Sequence, residues 1–220
     1  MALLEVKGLS AGYGRARVLF DVDLHLDRGE VVVLVGRNGA GKSTTLKSVM
    51  GLVPPRAGQV DFAGQPIAGR QPFEIARRGL GYVPEERRIF TDLSVAENLW
   101  VGMQPAREGV AAWTEERIFA LFPNLAQAAG RTAGEMSGGE QKMLAIARTL
   151  MGNPLAVLLD EPSEGISPVI VAQMVKTILE LKREGVSVLL CEQNRAFARR
   201  VADRAYRIEK GVVRPDAEWP

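Results

Sequence analysis

Gly36-Arg37-Asn38-Gly39-Ala40-Gly41-Lys42-Ser43-Thr44 is the stretch whose reading decides the fold. Before it stands Val31-Val32-Val33-Leu34-Val35, a short β-branched apolar run that predicts a buried parallel strand. After it, Thr45 to Met50 reads as the start of a helix. Strand, glycine loop and helix are the context a P-loop requires, and Gly36, four residues, then Gly41-Lys42-Ser43 has the spacing. Glycines let the backbone curl so that several N–H groups face one cluster of phosphate oxygens. The helix N-terminus adds free N–H groups and the positive end of its dipole. Lys42 is placed to neutralise β/γ-phosphate charge, and the Ser43 hydroxyl to ligate Mg²⁺. A glycine-rich turn with a surface lysine is the bland alternative, and it does not call for the flanking strand and helix.

The bulk properties allow such a core. The 220 residues suffice for one α/β domain with a small insertion, and 46% hydrophobic with 25% charged residues is ordinary for a globular protein. A net charge of +2 argues against a dominant nucleic-acid surface. The single cysteine, Cys191, ends an apolar run; it rules out a disulfide within the chain, fits a reducing compartment and reads as a small core residue. Met1 to Lys7 lacks the basic start and long apolar region of a signal peptide. No apolar run approaches the ~20 residues that span a bilayer, so work at a membrane would need another chain to do the spanning.

Leu3 to Lys7 predicts a first strand. Val18, Phe20, Val22, Leu24 and Leu26 alternate with polar or partner residues through Asp27, which predicts a half-buried antiparallel strand with the lone His25 on its polar side. Tyr13, between Gly12 and Gly14, offers a ring that could stack on a purine base. Pro54 to Gly58 reads as a turn, Gln59 to Phe62 as a short strand, Phe73 to Arg78 as a helix and Gly79 to Val83 as a buried strand. From about Glu85 to Gly152 strand signals fade and the chain reads as a mostly helical insertion. Ser94 with Glu97 forms a capping box there, and Thr114 starts a further helix. Arg87, Arg88 and Phe90 read as exposed. Ser137-Gly138-Gly139-Glu140 opens another helix, with Met143, Leu144, Ile146, Ala147 and Leu150 behind it at helical spacing. Its glycines and serine are a second candidate anion site, or simply an N-cap.

Leu155 to Leu159 predicts a buried strand that delivers Asp160 and Glu161 at its C-terminal end, where open α/β sheets gather ligands. One carboxylate there can hold Mg²⁺ and the next can position an attacking water. Pro168 to Arg183 is an amphipathic helix, Val186 to Cys191 a strand with Glu192-Gln193 at its end, and Asp203–Ile208 with Val212-Val213 finish the sheet.

In this order the P-loop, the Ser-Gly-Gly signature and the strand ending Asp160-Glu161 resemble the ATP-binding subunit of an ABC transporter, over essentially the whole chain. The finer runs Tyr82-Val83-Pro84-Glu85, Arg87-Arg88-Ile89-Phe90, Val95-Ala96-Glu97-Asn98-Leu99 and Glu192-Gln193-Asn194 are similar to the branched-chain amino-acid importer class. Glu164-Gly165-Ile166-Ser167-Pro168 also resembles urea-type importers. The resemblance implies an α/β fold: a P-loop NTPase core with a mostly parallel sheet, an antiparallel β subdomain and a helical insertion at about 85–152, all in one domain, 1–220. It implies ATP and Mg²⁺ as cofactors, with Gly36 to Thr44 holding the triphosphate and Tyr13 stacking on the base. Ser137, Gly138, Gly139 and Glu140 would cap the γ-phosphate of a second subunit. Ser43, Glu85 and Asp160 would serve the metal. Lys42, Glu161 and Gln193 would serve catalysis, Gln193 standing where the family usually has a switch histidine and Glu85 where it usually has glutamine. The partners implied are transmembrane permease subunits, a second ATPase subunit and, indirectly, an extracytoplasmic substrate-binding protein, with no nucleic acid. The implied location is the cytoplasmic face of the inner or plasma membrane, as a peripheral subunit. Soluble ABC ATPases of translation or repair are the competing class, and they usually carry a second such domain or a long coiled coil.

Overall fold

The computed structural model describes residues 2–107 and 111–219. Strands β1 (Leu4–Tyr13), β2 (Ala16–Leu26), β4 (Pro55–Phe62) and β5 (Gln65–Pro66) form an antiparallel sheet in the order β2-β1-β4-β5. Strands β3 (Val31–Val35), β6 (Leu80–Val83), β7 (Ala156–Asp160), β8 (Ser187–Glu192), β9 (Arg204–Glu209) and β10 (Val212–Pro215) form the second, in the order β10-β9-β3-β8-β7-β6. Its pairings are parallel except for the edge pair β9–β10. The helices are α1 (Lys42–Val49), α2 (Pro72–Arg77), α3 (Val95–Gly102), α4 (Glu115–Leu121), α5 (Pro123–Gln127), α6 (Gly138–Leu150), α7 (Pro168–Arg183) and α8 (Arg195–Ala198).

The parallel strands are buried on both faces, and their alternation divides the core in two. Val31, Val33 and Val35 point into one cluster with Leu144 and Ala147 of α6 and Ile178 of α7. Val32 and Leu34 point into the other, with Leu46 of α1 and Val22, Leu24 and Phe62 of the antiparallel sheet. β7 and β8 divide the same way, Val157 and Val188 to one side, Leu158 and Leu189 to the other. This two-sided cover is why the strands read as unbroken apolar runs. Cys191 is fully buried on the second side.

The antiparallel sheet departs from the local reading. β1 runs ten residues to Tyr13, well past Lys7. In β2 the inward residue is Leu19, not Phe20, which is 38% exposed. Asp21 takes φ 55 at a register shift against β1, and that bulge flips the alternation on its N-terminal side. Pro55 to Gly58 belongs to β4 rather than to a turn. Gly58, at φ 98, bulges the strand so closely against β1 that an added Cβ would lie 2.5 Å from the Gly8 carbonyl oxygen.

Between Glu85 and Gly152 the described residues hold α3 to α6 and one 3₁₀ turn, with a single bridge, Ser94 to Thr132, in place of any strand. Ser94 and Glu97 close their capping box. Thr114 caps α4 by accepting from the Arg117 N–H, without the reciprocal acid. Arg87 is half-buried rather than exposed: its Nη1 donates to Gln141 Oε1 at 2.9 Å, and its guanidinium packs over Gly138 at the start of α6. Arg88 and Phe90 are exposed.

Candidate nucleotide site

β8 lies between β3 and β7 and pairs with both, so the loop after Val35 and the acids at Asp160 emerge at one C-terminal edge of the sheet. Two glycines shape the loop. Gly41 takes φ 116, and a Cβ on Gly36 would lie 2.6 Å from the Ile208 carbonyl oxygen. α1 then starts with no side-chain cap and no acidic residue in its first turn. Its N–H groups and dipole are therefore available to an anion. The start of α6 differs. There the Ser137 N–H donates to Glu140 Oε2 at 2.8 Å and the Glu140 N–H to Ser137 Oγ at 3.4 Å, a closed capping box. The Ser137 hydroxyl and N–H hold the Glu140 carboxyl below its usual range.

A cavity of about 360 Å³ opens over the loop, lined by Val18, Asn38, Gly39, Gly41, Lys42, Ser43, Thr44, Glu85, Glu161 and Glu164. Lys42 is 4% exposed; its Nζ donates to the carbonyls of Gly36 at 2.9 Å and Arg37 at 3.1 Å and stands 2.9 Å from Glu161 Oε1. Burial alone would raise the Glu161 carboxyl, but a hydrogen bond with Glu164 and the Lys42 ammonium outweigh it and hold it low. Glu164, hydrogen-bonded to Glu161 and facing its charge, is pushed up to about 7. The two carboxyls therefore titrate as a pair.

Ser43 Oγ donates to Asp160 Oδ1 at 3.0 Å, and the Tyr82 hydroxyl donates to Oδ2 at 3.2 Å. Burial raises the Asp160 carboxyl against both bonds, and burial beside that carboxylate pushes the Tyr82 phenol up. A hydroxyl beside a carboxylate is a hard oxygen donor pair that suits Mg²⁺, which takes its remaining ligands from phosphate and water. The described residues hold no group of three or more His, Cys, Asp or Glu side chains able to take a metal. Ser43 and Asp160 would therefore hold a cation only together with nucleotide oxygens.

The structure thus brings the glycine loop, Lys42, Ser43, Glu85, Asp160 and Glu161 together. Tyr13, 51% exposed at the end of β1, is outside the cavity wall, as are exposed Gln193 beyond β8 and Ser137 to Glu140 at the start of α6. Sequence reasoning quoted Tyr82, Glu164 and Glu192 only within the runs that carry the resemblance, gave them no role in the nucleotide site, and did not single out Lys142. Glu192 is 2% exposed and accepts the N–H groups of Ser163 at 2.9 Å and Asn194 at 3.2 Å. Burial raises its carboxyl against those bonds. Lys142, on α6, is 3% exposed. A charged residue inside an otherwise apolar helix face was the available signal.

A P-loop with its lysine beside a strand-end carboxylate pair, and a hydroxyl–carboxylate pair for a cation, defines a phosphate-binding ATPase core. Residues 19–164 match the ABC transporter family, and the chain belongs to that family as one of its ATP-hydrolysing subunits. Among its relatives is the high-affinity branched-chain amino acid transport ATP-binding protein BraG of Pseudomonas aeruginosa, 42% identical over 96% of this chain and 91% of that one. The lipopolysaccharide export system ATP-binding protein LptB of Escherichia coli is 38% identical over 96% of this chain and 88% of that one. An ATP-binding cassette of an ABC transporter, solved in its ADP conformation, superposes with a TM-score of 0.84 at 26% identity, covering 100% of this chain and 93% of that one.

Proposed function

We propose that this chain is the ATP-hydrolysing subunit of an ABC importer for branched-chain amino acids. The observation that carries the ATPase part is the buried meeting of Lys42 and Glu161 beside the Ser43–Asp160 pair, all at one sheet edge. In this reading Gly36 to Thr44 wraps the triphosphate with backbone N–H groups, and Lys42 moves from Glu161 to the β/γ-phosphate oxygens. Glu161, released from the lysine, orients and deprotonates the attacking water. Held by Ser43, Asp160 and phosphate oxygens, with Glu85 nearby, Mg²⁺ would supply further charge neutralisation. Phosphoryl transfer rests on such positioning and charge compensation more than on covalent chemistry. Tyr13 stacks on the base, and Gln193 gives the γ-phosphate one neutral hydrogen bond.

Ser137 to Glu140 lies outside the cavity of its own chain, which supports a head-to-tail pair in which each signature helix caps the nucleotide of the other subunit. Residues 1–220 act as one cassette, the helices of about 85–152 passing the motion of that pair to transmembrane permease subunits, with a substrate-binding protein acting beyond them. Among the described residues no helix is long and apolar enough to cross a membrane, which accords with a peripheral place on the cytoplasmic face. The cargo rests on the likeness to BraG. The LptB relative favours a second reading, an export system, at lower identity.

Uptake of labelled leucine by cells carrying the partner chains tests the reading. Lys42→Ala, expressed and folded to the same level, abolishes it. Uptake that survives Lys42→Ala refutes the mechanism. Absent leucine uptake with Lys42-dependent ATPase activity refutes only the cargo.

A further inference from the structure

Lys142 has no place in the chemistry above, yet its surroundings are specific. It sits in the first turns of α6, 3% exposed, three residues past the Ser137–Gly139 signature. Its ammonium makes no ion pair with a carboxylate among the described residues. Nζ donates instead to two main-chain oxygens, the carbonyl of Glu161 at 2.6 Å and that of Glu164 at 3.2 Å. A buried ammonium without a carboxylate partner costs desolvation, which these two carbonyl bonds offset.

What it holds is the turn Glu161-Pro162-Ser163-Glu164. Glu161 takes φ 47, a left-handed conformation that strains a residue with a side chain. The turn is fastened at three points. The Glu161 N–H donates to the Cys191 carbonyl at 3.0 Å, the Glu164 N–H to the Glu161 carbonyl at 3.2 Å, and the Ser163 N–H to the Glu192 carboxylate at 2.9 Å. None of these reaches outside the sheet edge. Among the described residues the hydrogen bonds between this turn and the signature helix come from Lys142, and one falls on the carbonyl of the residue whose side chain faces Lys42.

We propose that Lys142 is a positioning residue for ATP hydrolysis: by clamping the carbonyls of Glu161 and Glu164 it fixes the Glu161 carboxylate where it can orient water, and makes that geometry depend on how α6 is seated. The inference rests on the reading of Glu161 as the water-orienting group. Lys142 does not touch the nucleotide cavity, so its loss leaves ATP binding alone and slows turnover. Two charge-assisted bonds on one peptide turn are involved, which places the fall in kcat at about tenfold or more.

Steady-state ATPase of the purified full chain, with thermal melting alongside, tests this. Lys142→Met has nearly the same length and removes the donor together with the buried charge, so the melting temperature changes little. Its kcat falls about tenfold or more while the KM for ATP stays within about twofold. Lys142→Arg, which keeps a cation and N–H donors, recovers part of the loss. A kcat for the methionine variant within about twofold of wild type overturns the proposal, as does a joint loss of kcat, ATP affinity and melting temperature that arginine does not relieve. Should the methionine variant fail to fold, Lys142→Gln takes its place with the same criteria. A Glu161→Gln variant that still hydrolyses ATP marks failure of the Glu161 assignment instead, and the Lys142 measurements separate the two cases.

Discussion

Glu161→Gln is expected to tighten binding of a non-hydrolysable ATP analogue, as well as to stop turnover. In the structure the lysine that must meet the phosphates is engaged elsewhere: Lys42 Nζ stands 2.9 Å from Glu161 Oε1, with the two side chains only 3% and 8% exposed. A triphosphate has to draw the ammonium away. A hydrogen bond to a charged group nets about 1.5–3 kcal/mol and a neutral one about 0.5–1.5. Exchanging the carboxylate for an amide oxygen leaves a charged donor but removes the opposite charge, so the hold on Lys42 weakens by about 1 kcal/mol or more, a factor of about five or more in Kd. Removing the negative charge that faces the phosphates acts in the same direction. Calorimetric titration of both proteins with the magnesium complex of an imido analogue of ATP measures this without hydrolysis. Sedimentation at the same concentrations separates it from association of two chains. An unchanged or weaker affinity in Glu161→Gln would show that the Lys42–Glu161 pair does not compete with nucleotide, and the assignment of Lys42 to the phosphates would lose its main support.

Gln193→Ala should lower ATPase by only about two- to tenfold, the worth of one neutral hydrogen bond. The rate–pH profile between about pH 6 and 8 should keep its shape, since the amide does not titrate where a histidine would; near-total loss would place Gln193 among the essential groups. Glu164→Gln tests the coupled titration of Glu161 and Glu164. The native Glu164 carboxyl keeps its proton up to about pH 7, whereas the unfolded one loses it near 4.5. The native state therefore binds more protons in that window, and wild type should lose stability relative to Glu164→Gln as pH rises from about 4.5 to 7, then stay level. The effect is small because Glu164 is exposed, and thermal melts in which the two proteins run parallel throughout would refute it.

How far the sequence was legible depends on whether an interaction has a local signature. The P-loop, β3, β7 and the capping boxes do, since strand period, glycine spacing and an acid three residues past a serine are written in adjacent letters. The failures in the antiparallel sheet are failures of local period against a bulge. Asp21 at φ 55 reverses the inward set from Phe20 to Leu19, and Gly58 at φ 98 lets Pro55 to Gly58 stay in β4. Neither residue type announces a bulge, because aspartate and glycine serve turns equally well. Long-range pairs between side chains were partly legible: Ser43 and Asp160 are 117 residues apart, but each carried its own motif, so their meeting at 3.0 Å was foreseeable from topology. Lys142 and Glu192 belong to a third kind. Each stands as a charge at one end of an apolar run, but both bind main-chain groups: the carbonyls of Glu161 and Glu164, and the N–H groups of Ser163 and Asn194. Every residue owns such groups, so no letter of the sequence can name them as partners. The charge could be flagged, whereas the turn it holds required the fold. That same property makes the clamp tolerant of side-chain changes in residues 162 to 164 and sensitive to any change in the path of their backbone.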